Sequence, residues 1–175
     1  DQSVPVVFMG INNNPRVYFS DGILPPNMTG VLERTPIMGS IRFIIRVIPD
    51  VKRILVLASE SQTSKAELKN TLLDQKTLAT TGVVADIKTV NSWAGWLEVI
   101  KSAGEQYDIV IPLAFFNFRD EHGDYITGSD AISVMSALSN VPIFVNQDYT
   151  VSDNGAMGAL VVQGKTHGRR AGLIA

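Results

Sequence analysis

Cysteine is absent from this chain of 175 residues, which excludes disulfide bonds, thiolate nucleophiles and cysteine-ligated metal sites. An excess of charge of either sign is absent as well, since 15 basic and 17 acidic side chains leave a formal net charge of -2. Without a long basic cluster, the chain has no electrostatic footprint for nucleic acid or for an anionic membrane surface. We therefore expect no nucleic-acid partner.

Long apolar runs and enzyme motifs are missing too. No run approaches the roughly 18 apolar residues that a membrane helix needs, although 45% of the residues are hydrophobic. The sequence holds no GxGxxG or Walker loop, no GxSxG and no HExxH. We expect a binding protein with no catalytic residue, no metal and no cofactor. A hydrolase or transferase on an α/β sheet is the alternative, because one fold hosts many functions.

What the chain does contain is an alternation of short apolar runs with amphipathic stretches. Helical spacing of apolar residues, as in Ile37, Ile41 and Ile44, predicts helices that cover a sheet. The alternation predicts an α/β fold, a three-layer sandwich with a mostly parallel sheet and a Rossmann-like lobe. Loops at one edge of such a sheet bind small ligands. The predicted strands are residues 4–9, 53–58, 83–90, 108–116, 141–145 and 156–162.

The segment that follows the first predicted strand does not fit the alternation. Residues 10–30, GINNNPRVYFSDGILPPNMTG, show no clear periodicity and exceed an ordinary connection in length. We interpret this segment as either a crossing between two lobes or a stretch that touches a ligand.

A polar turn follows the second predicted strand. Ser64 and Glu67 have the spacing of a capping box, which predicts that a helix opens there and continues to Gly82. Free amides at a helix start favour an anion, and serine hydroxyls can donate hydrogen bonds as well. The alternative is a cap that binds nothing. The candidate ligand contacts in this turn are Ser59, Glu60, Ser61 and Gln62.

Two aromatic residues form a stripe farther along the chain. Trp93, Trp96, Leu97 and Ile100 share one helical face. An aromatic binding shelf is one interpretation of this stripe. Core packing is the interpretation that we favour.

The loop after the next predicted strand holds a ligand candidate and an acidic group. Asn117 ends the strand, and its carboxamide can both donate and accept a hydrogen bond. The acidic group could suggest a metal site, but it lacks the regular ligand spacing of a calcium loop, and no second histidine lies nearby. We therefore interpret it as a solvated turn in which Gly123 has a positive φ. Thr127 and Asp130 are expected to cap the following helix. The acidic group consists of Asp120, Glu121, His122 and Asp124.

The last third of the chain repeats the pattern. Asp148 and Tyr149 follow a predicted strand, where an aspartate could pair with a ligand amine and a tyrosine could stack or hydrogen-bond. The alternative is that both are ordinary exposed loop residues. His167, Arg169 and Arg170 are interpreted as the solvated face of a terminal helix.

The order of these elements resembles the ABC-transporter substrate-binding-like family. The resemblance lies in VPVVFMGINN, NMTGV, IPDVKRILVLAS, VPIFVNQD and GAMGALVVQGKTHGRRAGLIA, and it spans nearly the whole chain. It implies a type I periplasmic-binding-protein fold, in which two α/β lobes close on a small ligand. Residues 1–35 would then be the end of the first lobe and a hinge crossing, and residues 36–175 the second lobe. We expect the chain to be a piece of a longer protein.

One stretch is similar to a particular branch of that family. FFNFRDEHGDYITGSDAI resembles the extracytoplasmic sensor domains of bacterial membrane histidine kinases and diguanylate cyclases (GGDEF proteins). The resemblance thus implies a periplasmic, membrane-anchored sensor of a two-component or related system. A solute-binding component of an ABC transporter is the near alternative.

The family layout also implies where a ligand would lie. It implies contacts from Asn12 and Asn13 on the hinge side, in addition to the turns already described. The ligand is expected to be small and polar, an amino acid or related carboxylate. The expected partners are the missing first lobe and either a membrane-linked output domain or an ABC permease. A homodimer is a further expectation, because surface normally hidden by the first lobe could pair with itself.

Overall fold

The computed structural model describes residues 3–73, 75–80 and 82–175. Asp1, Gln2, Asp74 and Thr81 lie outside the described residues. The predicted first domain segment and the predicted helix 64–82 therefore each include two positions that the structure does not describe.

Strands and helices alternate through most of the described chain. Short 3-10 turns lie at Pro15–Tyr18, Ala103–Glu105, Phe115–Asn117 and Asp148–Thr150. The strands and helices, numbered in chain order, are β1 Val6–Ile11, β2 Met28–Leu32, α1 Ile37–Val47, β3 Arg53–Ser59, α2 Gln62–Leu72, β4 Thr77–Thr80, β5 Val83–Val90, α3 Trp93–Ser102, β6 Ile109–Leu113, α4 Gly128–Leu138, β7 Phe144–Val145, β8 Gly158–Ala159 and α5 Gly164–Ile174.

The main sheet has the strand order β4-β5-β3-β6. Strand β3 is parallel to β5 and to β6, while β4 is antiparallel to β5. A bridge between Val110 and Ile143 places β7 beside β6, and β8 pairs with β7 in parallel. Strands β3, β5 and β6 therefore end at one edge, called the carboxyl edge below.

Two hydrophobic cores lie on opposite faces of this sheet. Because successive side chains of a strand point to opposite faces, Ile54 and Val56 pack with α1, whereas Leu55 and Leu57 pack with α3 and α4. Trp96 is fully buried in the second core, and its indole N–H lies 2.9 Å from Met135 Sδ. The three-layer α/β sandwich is thus confirmed, as is the core role of the Trp96 stripe.

A smaller unit is built from sequence-distant segments. Strands β1 and β2 pair in parallel, and α5 packs against both of them. The register of this pair shifts between Met9 and Ile11. Gly10 lies at that irregularity with φ +71°, a backbone conformation that favours glycine. The domain boundary after residue 35 stays a prediction, and the contacts of α5 show that the last helix returns to the first strands.

Two parts of the sequence prediction are wrong about secondary structure. The end of the segment 10–30 forms the start of β2, a strand that the sequence pattern did not predict. The helix predicted to continue to Gly82 stops at Leu72, since Leu73 adopts a left-handed conformation with φ +51°. The residues after it form β4, whose β-branched threonines suit a strand better than a helix. Gly82, with φ +81°, lies in the turn between β4 and β5.

The start of α2 differs from the prediction as well. Ser61, not Ser64, is the N-cap, because its Oγ accepts a hydrogen bond from the Ser64 backbone N–H at 3.2 Å. Glu67 does not return to the cap and instead accepts a hydrogen bond from Thr35. The cap predicted for α4 is confirmed, since Thr127 Oγ1 accepts from the Asp130 backbone N–H.

Two strands are shorter than the sequence pattern predicts. Strand β6 stops at Leu113, because Ala114 turns the chain with φ +50°. The expected strand 156–162 forms ladder pairs only at Gly158 and Ala159. Within the described residues, no helix combines the length and apolar character needed to cross a bilayer.

Candidate functional site

Buried polar side chains gather near the carboxyl edge. They lie in the crossing before α1, in the first turn of α1, in the first two turns of α2, at the end of β3, and after β7. Since a buried polar group must be hydrogen-bonded or lose free energy, this edge carries a polar layer beneath its surface. The members among the described residues are Thr35, Ser40, Ser59, Ser64, Glu67, Asn146 and Thr150.

Three serines and an asparagine form a hydrogen-bonded cluster in this layer. Ser59 Oγ donates to the Ala114 carbonyl oxygen at 3.0 Å and lies 3.0 Å from both Ser61 Oγ and Ser64 Oγ. Asn117 Nδ2 donates to Ser61 Oγ at 3.2 Å. We call Ser59, Ser61 and Ser64 the serine cluster. It joins the ends of β3 and β6 to the start of α2.

The direction of these hydrogen bonds follows from their two ends. A carbonyl only accepts and the Asn117 amide nitrogen only donates, while each serine has one hydrogen to give. The arrangement that satisfies every group passes from Asn117 to Ser61, then Ser64, then Ser59, and ends at the Ala114 carbonyl. Asn117 itself is exposed.

The carbonyl at the end of this chain of hydrogen bonds belongs to a residue with a strained backbone. Ala114 is one of few described non-glycine residues with positive φ, at +50°, a conformation that costs an alanine about 1–2 kcal/mol. Its carbonyl accepts from both Ser59 and Asn117. Such strain is often kept at functional sites, where the surrounding contacts over-determine it.

A cleft opens between the end of β1 and the start of α2. Its volume is about 370 Å³, which lies within the range of small-molecule sites. Asn12 and Asn13 come from the β1 side, and Gln62 from the first turn of α2, so the structure brings together three residues predicted from sequence. The lining residues are Gly10, Ile11, Asn12, Asn13, Tyr18, Gln62, Thr63 and Ala66.

The backbone of Asn12 is held by two neighbours. Arg34 Nη1 donates to the Asn12 carbonyl at 2.7 Å, and Asn70 Nδ2 donates to the same oxygen at 3.0 Å. The side-chain oxygen of Asn12 is buried and has no hydrogen-bond partner among the described residues. Unpartnered buried acceptors are uncommon in folded proteins.

The cleft is coupled to the crossing segment through a buried carboxyl group. Glu67, one helical turn after Thr63 on α2, is only 7% exposed and accepts a hydrogen bond from Thr35. Burial raises the pKa of the Glu67 carboxyl, the Thr35 bond opposes that rise, and the Glu33 charge adds to it. Its second oxygen, Oε2, has no partner in the described part of the chain.

The remaining predicted site residues lie apart from the cleft lining. Glu60 is exposed, and its backbone N–H donates to the Val90 carbonyl. Asp148 Oδ1 accepts from the Tyr149 backbone N–H at 2.9 Å. The Tyr149 ring packs beside Gly128, so closely that a Cβ there would meet the phenol oxygen at 2.8 Å. This places Tyr149 at the start of α4, and its role in a site stays a prediction.

The acidic loop is an ordered turn. Asp120 Oδ1 accepts from the backbone N–H groups of His122 and Asp124 at 2.9 Å each, which lowers the pKa of Asp120. Gly123 has φ +86°, as predicted. In the described residues, no group of three or more histidine or acidic side chains is placed to hold a metal ion.

Sequence reasoning missed several polar residues of the carboxyl edge. Asn146 lies two residues before the predicted contact Asp148, is 8% exposed, and has a side-chain oxygen without a partner among described residues. Thr35 and Tyr18 lie in segments with no periodic pattern. The signal that could have found Asn146 is its position directly after a strand, which is the criterion that selected Ser59 and Asn117.

An open parallel sheet with polar strand ends, crossed by chain that returns to a second unit, is the architecture of a ligand-binding lobe. The chain matches the ABC transporter substrate binding protein family over residues 1–175. It belongs to that family. No curated protein matches the chain.

Two solved structures share the fold. A conserved domain protein from Vibrio cholerae O1 biovar El Tor is 20% identical with a TM-score of 0.65, and the match covers 95% of this chain and 54% of that one. The ABC domain in complex with L-Trp from Streptococcus pneumonia is 19% identical with a TM-score of 0.66, covering 97% and 55%. The chain thus spans about half the length of these structures, and the periplasmic-binding-protein-like fold is confirmed.

Proposed function

We propose that this chain is part of an extracytoplasmic receptor domain of a bacterial membrane signalling protein, which holds a small polar molecule between two lobes. Ligand binding favours the closed arrangement, and its differential affinity for that state shifts the output of the membrane protein. No bond of the ligand is broken in this mechanism. The observation that carries the proposal is the cleft in which Asn12, Asn13 and Gln62 meet.

The two walls of that cleft support a closure mechanism. One wall, the end of β1, belongs to the unit of β1, β2 and α5, and the other wall, α2, belongs to the main α/β lobe. A molecule bound between them touches both bodies. A change in their separation therefore changes its contacts, which is what closure requires.

The β1-β2 unit supports the presence of more first lobe in the full-length protein. A sheet of two strands is marginally stable at best. Met9 and Leu173 of this unit are exposed, and an apolar surface of this kind is normally covered. The greater length of the two solved structures is consistent with a first lobe that supplies the cover.

An amino acid is the first ligand class to test. The backbone N–H groups at the start of α2, near Gln62 and Thr63, and the positive end of the helix dipole suit a carboxylate. The complex of one structural neighbour contains L-Trp, which makes free amino acids the natural first panel.

A thermal-shift screen of the full-length receptor domain tests the proposal. The panel consists of the proteinogenic amino acids, small carboxylic acids and purines. We expect at least one compound to raise Tm by several degrees, because a ligand that binds only the folded state stabilises it. Gln62→Ala should reduce that shift, and Asn154→Ala, in an exposed loop away from the cleft, should retain it. No shift with any compound would contradict the proposal.

A solute receptor of an ABC transporter is the second candidate, and the family match favours it. The two functions differ in what the bound state does. In membranes that contain the full-length protein, ligand should change kinase or cyclase activity if the protein is a sensor. Ligand-dependent uptake without such a change would favour the transporter.

A further inference from the structure

We propose that Thr35 and Glu67 form a proton-dependent latch, which holds the crossing segment, residues 33–36, on helix α2 while Glu67 carries a proton and releases it when Glu67 ionises. Release lets the β1-β2 unit move relative to the main lobe. The inference rests on the proposed function, since it concerns the movement of the two cleft walls. It assigns control of that movement to residues outside the cleft lining.

The crossing segment is a covalent connection between the two units. It leaves β2, which pairs with β1, and it enters α1, which packs on the main sheet. Another connection, residues 160–163, leads from β8 to α5. A movement of one unit against the other must change the backbone in these connections. Contacts that hold residues 33–36 on the main lobe therefore limit that movement.

Helix α2 holds the crossing segment and the end of β1 at two points. Thr35 Oγ1 donates to Glu67 Oε1, and Asn70 Nδ2 donates to the Asn12 backbone carbonyl at 3.0 Å. Glu67 and Asn70 are three residues apart, so they are neighbours on one face of the helix. Thr35 and Glu67 are 3% and 7% exposed, whereas Asn70 is exposed. The buried contact is the one that depends on a titratable group.

An ionised Glu67 lacks the contacts that a buried charge needs. Thr35 is the donor that reaches its carboxyl group, and Oε2 has no partner in the described residues. A buried carboxylate is stable when it is paired with a cation or accepts several hydrogen bonds. Burial accordingly raises the pKa of Glu67, the Thr35 bond opposes that rise, and the Glu33 charge adds to it. The latched arrangement thus favours the protonated acid.

The charged groups around Glu67 do not supply the missing compensation. Glu33, at the start of the crossing segment, has the same charge as an ionised Glu67. Arg34 Nη1 donates to the backbone carbonyl oxygens of Asn12 and Glu33 at 2.7 and 2.8 Å, and no ion pair joins Arg34 to either carboxylate within the described ranges. Strand β1 contains no titratable side chain. The exposed cations of the neighbouring helices are Lys65 and Lys69 on α2 and Arg42 and Arg46 on α1.

The direction of the pH effect follows from the burial of Glu67. The latched arrangement keeps its carboxyl group from water, so it binds the proton more tightly than a released arrangement in which the carboxyl group is hydrated. As the pH rises from the ordinary glutamate pKa through the raised pKa of the latched state, the proton passes to solvent and the equilibrium shifts toward release. Each unit of difference between these two pKa values changes the ratio of the arrangements about tenfold.

Fluorescence energy transfer on the ligand-free, full-length receptor domain tests the latch. Cysteine is absent from these 175 residues, so Arg169→Cys on α5 and Ser133→Cys on α4, both exposed, provide one label site on each unit. Any cysteine elsewhere in the full-length domain is first replaced by serine. We expect the transfer efficiency to change between about pH 5 and pH 9 as the titration of one proton. A constant efficiency over that range would overturn the inference.

Three variants assign the proton to Glu67. Glu67→Gln is uncharged and can still accept from Thr35, so it should keep the low-pH efficiency at every pH. Glu33→Gln removes the like charge and should move the midpoint to lower pH. Glu105→Gln, at an exposed position, is the matched control and should titrate as the parent does. A Glu67→Gln curve that follows the parent would overturn the inference.

The latch and the proposed function are tested separately. The energy-transfer titration contains no ligand, whereas the thermal-shift screen depends on one. A compound that raises Tm, together with a constant transfer efficiency, would remove the latch and leave the proposed function standing. A pH-dependent efficiency that Glu67→Gln abolishes, without any stabilising compound, would support the latch and contradict the proposed function.

Discussion

Asn117 Nδ2 lies 3.2 Å from Ser61 Oγ, and this hydrogen bond joins residues that are 56 positions apart in the sequence. It links the turn after β6 to the N-cap of α2, which borders the cleft. The position of α2 therefore depends on the serine cluster as well as on core packing.

Removal of the central hydroxyl of the cluster should destabilise the fold. Ser59→Ala leaves the buried Ser64 hydroxyl and the Ala114 carbonyl each without one partner. We expect a loss of about 1–3 kcal/mol in the free energy of unfolding, measured by urea denaturation. Ser133→Ala, an exposed position on α4, is the control and should stay within about 0.5 kcal/mol. Equal stability of the two variants would show that the cluster is not structural.

The strained residue at the end of β6 should distinguish small from branched side chains. Ala114→Gly relieves the left-handed strain but gains entropy in the unfolded chain, so its stability should change by less than about 1 kcal/mol. Ala114→Val adds a β-branched side chain at a buried position with φ +50° and should lose more than about 2 kcal/mol. Thermal melts measure both. A valine variant as stable as the glycine variant would contradict the strain argument.

Glu67 should make the protein less stable as the pH rises. Its pKa is raised in the folded state by burial, so the folded protein binds more protons than the unfolded chain above the ordinary glutamate pKa. Stability therefore falls as pH rises from that value through the folded pKa. Glu67→Gln removes this dependence and should be more stable than the parent at pH 7.5, by about 1 kcal/mol. Parallel melting curves against pH for the two proteins would refute this.

Asp108 should make the protein more stable as the pH rises from acid. Its carboxylate accepts from the Arg53 and Lys52 backbone N–H groups at 2.8 Å each, which lowers its pKa. The stability that this provides is present above the unfolded pKa and is lost as pH falls through the lower folded pKa. Asp108→Ala should lose about 1 kcal/mol at neutral pH, and the difference from the parent should shrink in acid. Asp153→Ala, at an exposed position, should show neither effect.

Elements with a strong local pattern could be predicted from sequence. Strand β5 is found at the predicted bounds, Val83–Val90, because β-branched residues and a following turn define it locally. Helix α3 follows from the spacing of Trp93, Trp96 and Ile100, all of which pack in or against one core. These signals need only a few neighbouring residues.

Elements that depend on distant partners could not be predicted in the same way. Strand β2 is a run of five residues that is held in a strand conformation by pairing with β1. Its sequence, MTGVL, contains a glycine, which is unfavourable in a strand. The hydrogen bond between Thr35 and Glu67 joins positions 32 residues apart, so a local capping pattern misassigned Glu67. Tertiary contact overrode local preference in both cases.

The residues of the candidate site also divide into those that could be predicted from the sequence and those that could not. Ser59 and Asn117 could be selected because each follows a strand, and parallel strands bring their ends to one edge. The burial of Asn146 and the partnering of Asn12 by Arg34 depend on the crossing segments. No period in the sequence encodes those contacts.

The return of α5 to β1 and β2 also has a consequence for the order of folding. Helix α5 follows the whole main lobe in the chain, yet it packs on strands made before that lobe. Contacts of such large sequence separation form late, because loop closure must precede them. During synthesis, β1 and β2 therefore lack the contacts of α5 until residues 164–174 have been made.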